Sequence, residues 1–123
     1  MLGDWEMTVF VLEPDLIFSS KFDRLTHLAG IDFKVFTDPT EFVASAQEKP
    51  EALIINLDAI KPEMLQIAVD VGVPVMGYYS HVDSDTARTA VQLGVRRVVT
   101  RGAFHANSES LVRELLKFRK QGL

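Results

Sequence analysis

The chain has 123 residues, no cysteine and a formal net charge of −4. That length makes one domain with a core of its own, and the lack of cysteine excludes disulfides, thiolate zinc sites and cysteine nucleophiles. An acidic balance argues against non-specific nucleic-acid binding, which needs a basic field to displace counterions. No apolar run approaches membrane-spanning length and no charged-then-apolar leader opens the chain, so a soluble cytoplasmic protein is expected, with neither nucleic acid nor membrane as partner.

Residues 1–6, "MLGDWE", read as a loose lead-in in which Trp5 covers an apolar patch or nothing at all. "MTVFVL" (7–12) is a continuous apolar strand. From Asp15 to Ala29, Phe18, Phe22, Leu25 and Ala29 recur at helical spacing and form one buried stripe, closed by Gly30, where a left-handed residue is cheap. "DFKVF" (32–36) alternates and reads as a half-exposed edge strand. "DPTE" (38–41) starts a helix to about Glu48: Asp38 caps, Pro39 suits the first turn and Glu41 reaches back to the cap amide.

"EALII" (51–55) is a run buried on both faces. Pro62 starts a short helix ending near Gly72. "VPVMGYY" (73–79) is the fourth strand, "DSDTARTAVQLG" (83–94) a helix ended by Gly94, and "RRVVT" (96–100) the fifth strand. "NSESLVRELLKFRK" (107–120) is the final amphipathic helix, with Ser108 as its cap. Five strands alternating with five helices dictate a single-domain α/β fold: a doubly wound, five-stranded parallel sheet of flavodoxin-like form, with helices on both faces.

In that class the chemistry gathers at the carboxyl ends of the strands, so the loops to inspect are 12–15, 56–62, 79–84 and 100–104. They offer Glu13, Asn56, Asp58, Tyr79, Ser80, His81, Asp83 and Arg101. None has the glycines of a dinucleotide fingerprint or the Gly-Lys of a phosphate loop.

On these residues the chain from about Met7 onward resembles the receiver domain of bacterial response regulators. "GYYSHVD" (77–83) also looks like the corresponding string of small stand-alone receiver-like proteins. In that family two acids after the first strand hold magnesium and the third strand ends in a phosphorylated aspartate. The fourth ends in a Ser/Thr, and the fifth in a lysine followed by proline. The resemblance places the acid pair on Leu12 and Glu13, the phospho-acceptor on Asn56, the hydroxyl on Tyr79, the lysine on Arg101 and the proline on Gly102. Val98 stands at the switch aromatic.

The departures matter because phosphoryl transfer needs a carboxylate nucleophile and a charge-neutralising metal. An amide has no anionic oxygen, and Glu13, even with Asp58, is a thin site for magnesium; no cofactor is expected unless Asp58 is the acceptor. That second reading needs the strand to run through "ALIINL" and to bury Asn56 within it. Arg101 either pairs with Glu13 or Asp58, as its planar fork favours, or points into water. Ser80 supplies a hydroxyl next to Tyr79, in another direction.

Other candidates carry less. His27, His81 and His105 lie far apart; His81 with Asp83 is two ligands, and two do not make a metal site. Ser80-His81 lacks an acid behind the histidine. Of Tyr78 and Tyr79, one fills the core and the other packs on the loop, with Tyr79 partly exposed. The clusters Arg96-Arg97-Arg101 and Lys117-Arg119-Lys120 read as solvated faces.

The resemblance implies a non-enzymatic pseudo-receiver of two-component signalling, working by protein–protein interaction. With no output domain after the final helix, its output is expected in trans, to another signalling protein. The contact face would be the fourth helix, fifth strand and fifth helix, including Thr86, Arg97 and the residues after Ser108, and the same face could serve a homodimer. A conventional receiver phosphorylated at Asp58, or a small-molecule binder using the flavodoxin-like crevice, are the alternatives.

Overall fold

The computed structural model describes residues 7–80 and 85–118. Strands β1 (Thr8–Leu12), β2 (Asp32–Phe36), β3 (Ala52–Asn56), β4 (Val75–Tyr79) and β5 (Arg97–Thr100) form one parallel sheet in the order β2-β1-β3-β4-β5. Helices α1 (Leu16–Ala29), α2 (Pro39–Ala46), α3 (Pro62–Val69), α4 (Asp85–Leu93) and α5 (Arg101–Lys117) alternate with the strands. Among the described residues no helix is long and apolar enough to cross a membrane.

Strand side chains alternate between the two faces, and the sequence loads both. Phe10, Leu12, Leu53, Ile55 and Val75 face α2, α3 and α4. Val9, Val11, Ile54, Met76 and Tyr78 face α1 and α5. β3 is buried throughout, as a strand covered on both sides must be, whereas β2 and β5 are the half-exposed edges. The chain leaves β1 for β2 on one side and returns to β3 on the other. The crevice where strand order reverses therefore opens at the carboxyl ends of β1 and β3, beside Glu13 and Asn56.

The helix starts follow the sequence. Asp15 caps α1 through the Ile17 and Phe18 amides, and Gly30 ends it at φ 69°. Asp38 caps α2 through the Thr40 and Glu41 amides, with Pro39 in the first turn. α2 stops at Ala46 rather than Glu48, and α3 at Val69 rather than near Gly72.

The final helix corrects the sequence reading. α5 begins at Arg101, immediately after β5, with the Thr100 hydroxyl accepting from the Ala103 amide. The expected start at residue 107 is instead an interior break, with Asn107 at φ −128°, ψ 27°. Ser108 is therefore not the cap; it is buried within α5. Residues 119–120 of the expected helix, and Asp83 of the one before it, lie outside the described residues.

Gly77 has a steric reason to be glycine. A Cβ there would stand 2.7 Å from three side-chain carbons of Leu57, itself buried in the core on that face. Gly77→Ala is expected to destabilise the fold by about 1–3 kcal/mol through overpacking. Denaturant unfolding checks this: adding Leu57→Ala should make the two losses less than additive, because the clash disappears with the leucine.

Candidate functional site

The site is a product of strand parity. Glu13 follows Val9 and Val11 on the α1/α5 face, Asn56 follows Ala52 and Ile54, and Tyr78 follows Met76. In the register of the sheet Asn56 lies opposite Tyr78, and Leu12 opposite Ile55. Three polar side chains from three neighbouring strands thus end on the same face at the same level.

Glu13 is fully buried and sits at the centre. The Asn56 amide nitrogen, Nδ2, donates to both its oxygens, at 3.1 Å to Oε1 and 3.2 Å to Oε2. The Tyr78 hydroxyl donates to Oε1 at 2.6 Å and the Asp15 backbone N–H to Oε2 at 2.9 Å. The Arg101 guanidinium stands 3.9 Å from Oε1. A carboxylate offers about four acceptor positions, so these donors nearly saturate it. Among the described residues no buried side-chain nitrogen or oxygen is left without a hydrogen-bond partner.

The other members are held as tightly. Asn56 Oδ1 accepts from the Asp58 N–H at 3.0 Å, starting a short 3-10 turn over Leu57–Ala59. That bond fixes the amide orientation and keeps Nδ2 aimed at Glu13. The Tyr78 ring stacks on Phe104 at 4.9 Å and meets Phe18 at 5.4 Å. Burial, then the bond to Glu13, pushes its phenol pKa far above the usual tyrosine range.

Arg101 neither points into water nor takes Glu13 as its nearest acid. It pairs with Asp15 Oδ2 at 3.2 Å and stands over the Phe18 ring, 4.1 Å from its centre. Asp15 serves twice, since its Oδ1 caps α1. Those two backbone N–H groups, with Arg101 adding to them, hold its carboxyl below the ordinary range.

The remaining expected site residues lie apart. β3 ends at Asn56, and exposed Asp58 lies in the 3-10 turn beyond. Asp58 Oδ2 accepts from the Ser80 N–H and Oγ, both at 2.8 Å. Tyr79 is half-buried on the opposite face of the sheet, packed with Val98 against the α2–α4 core. Thr86 lines a cleft on the α3 side of α4 with Leu57, Ile60 and Leu65. Arg97 is exposed beside Glu114 of α5, at 3.9 Å. Ser108, expected on the same contact face, is buried and unavailable to a partner. His27 and His105 are exposed on different helices, and His81 lies outside the described residues.

Sequence reasoning missed Tyr78 and Asp15. The alternation of "VMGYY" sets Met76 and Tyr78 on one face, which could have selected Tyr78 over Tyr79. Asp15 was legible as a helix start but not as the partner of Arg101.

The donor set does not suit a magnesium ion. Magnesium needs near-octahedral oxygen ligands, with one or two carboxylates free to bind it. Here the single buried carboxylate is occupied by an amide, a phenol and a backbone N–H, and the neighbouring charge is a guanidinium. Among the described residues no three histidine or acidic side chains converge as a metal set.

No protein-family model matches the chain, and no curated protein matches its sequence. Solved structures do match its fold. A response regulator receiver domain protein from Clostridium thermocellum superposes with a TM-score of 0.82 at 14% identity, covering 95% of this chain and 99% of that one. A receiver domain protein from Methanospirillum hungatei gives 0.80 at 10% identity, over 94% and 97%. A response regulator receiver protein from Burkholderia phymatum gives 0.73 at 19% identity, over 90% and 95%. The five-stranded flavodoxin-like fold is thus that of receiver domains.

Tyr78→Phe is expected to cost about 1.5–3 kcal/mol by removing a donor from a buried carboxylate. Because the folded-state phenol is raised, its contribution is fully present below pH of about 10 and is lost as the unfolded phenol ionises above it. The wild-type chain should therefore lose stability through that range more steeply than Tyr78→Phe, as unfolding titrated against pH would show. Asn56→Asp replaces the donor by a second carboxylate and should cost about 3 kcal/mol or more at neutral pH. Thermal melts with and without magnesium would show whether a cation recovers any of it.

Proposed function

We propose that this chain is a pseudo-receiver: a receiver-fold signalling module that acts by protein–protein interaction, without phosphoryl transfer at the end of β3. One observation carries the reading. The Asn56 amide stands at the carboxyl end of β3 and donates to both oxygens of Glu13. Its nitrogen and its oxygen are both engaged, and it has no charge with which to attack phosphorus. The adjacent acid cannot ligate a metal without giving up Tyr78 and Asn56, which would leave buried polar groups unpaired at about 1–3 kcal/mol each.

With no group to be switched by phosphorylation, signalling rests on recognition of this domain by another protein, or by a second copy. Arg97 and Glu114 remain as half-exposed charges on the β5/α5 side for such a contact. Ser108 is buried, whereas Thr86 is partly exposed on α4.

A second reading, a receiver phosphorylated at Asp58, has one observation in its favour. Asp58 is an exposed carboxylate beyond β3 with the Ser80 hydroxyl at 2.8 Å. Against it, that carboxylate oxygen already holds two donors from Ser80 and lies outside the buried cluster.

Intact-mass measurement after incubation with acetyl phosphate and magnesium separates the readings. The expected result is an unchanged mass. A stable added phosphoryl group that is lost in Asp58→Ala and kept in Asn56→Ala would establish the second reading and end the first.

A further inference from the structure

A cleft of about 260 Å³ lies between α1 and α5 and shares Arg101 and Asp15 with the surroundings of Glu13. Lys21, Arg24, Arg101, His105 and Asp15 line it around the Phe18 ring, with Ile17 on the rim. Its charge runs against that of the chain: three permanent cations face one carboxylate, in a protein of net charge −4.

The cations are not there to balance each other. Lys21 and Arg24 are three residues apart on one helix, where like charges repel. The Lys21 ammonium bonds to a neutral group, the His105 carbonyl, at 3.0 Å. Burial, and then the nearby Arg24, push its pKa down. The Arg101 guanidinium stands 4.1 Å from the Phe18 ring centre, and its charge is shared with Asp15. Positive charge in a concave site with an apolar wall focuses the field on whatever enters.

We propose that this cleft binds a small phosphate monoester, its phosphate held by Lys21, Arg24 and Arg101 and its organic group laid against Phe18 and Ile17. A guanidinium fork and an ammonium are the donors that phosphate oxygens accept most strongly. The volume holds a phosphate with a ring-sized substituent and little more. An occupant competes with Asp15 for Arg101, so it loosens the cation that stands over Glu13. The proposal does not depend on the reading of Asn56.

The test is a heteronuclear NMR titration of the whole chain with phenyl phosphate and with inorganic phosphate, at constant ionic strength. Saturable shifts are expected at Phe18, Lys21, Arg24, Arg101 and His105, with phenyl phosphate binding about threefold or more tightly because its ring meets Phe18. Arg24→Ala, at an exposed position, should weaken binding about tenfold, the worth of one charge-assisted hydrogen bond. Arg96→Ala, which removes the cation stacked on Phe118 away from the cleft, should leave it unchanged. Shifts that track salt without saturating, equal losses in the two variants, or a response centred on Asn56, Leu57 and Asp58 would each overturn the assignment. Should Arg24→Ala unfold, Arg24→Gln carries the same comparison.

Discussion

A carboxylate with no access to water governs this molecule. Unpaired, the Glu13 side chain would cost several kcal/mol, and no single neighbour could offset that. Its hydrogen-bond donors come from the α1 cap region, from β3 and from β4, and the Arg101 guanidinium at the start of α5 stands 3.9 Å away. Three of these segments, β3, β4 and the start of α5, are distant from Glu13 in sequence and must be in place around that acid. The site therefore works as a closure for the tertiary fold, tying both helices of one face to the central strands.

The aromatic side chains extend the same constraint into the core. The Tyr78 ring that reaches Glu13 packs on both Phe18 and Phe104, which also meet each other, and Phe104 in turn packs on Phe22. The Arg101 guanidinium stands 4.1 Å from the Phe18 ring centre. Hydrogen bonding at the crevice and packing under α1 and α5 are one structure. A reactive acid would need loosely held oxygens and room for a metal and a phosphoryl group; here both oxygens of the carboxylate are already engaged.

Much of this was legible in the residues. The first and third strands could be read because unbroken apolar runs, "VFVL" and "ALII", bounded by turn signals, admit little else in a chain of this length, and the second from its alternation. Asn56 could be placed because the apolar run stops at Ile55, and β3 does end one residue later. What escaped reading was non-local. The resemblance puts the hydroxyl position on Tyr79; the sheet turns Tyr79 to the far face, and the phenol that meets Glu13 is that of Tyr78. The start of α5 escaped because Gly102 resembles a loop residue and Asn107-Ser108 a helix cap; local propensity at both points lost to packing of Phe104 against the sheet. Without that start, the Arg101–Asp15 pair could not be foreseen.

The break at Asn107 gives α5 two segments with different attachments. The first follows β5 with no connecting loop and is held by Phe104, which is fully buried against Tyr78 and Phe22. The second is anchored by Leu111, Val112, Leu115 and Leu116 in the interior. Both segments are thus fixed to one core, and the crevice cation, Arg101, stands about one helical turn from the buried Phe104.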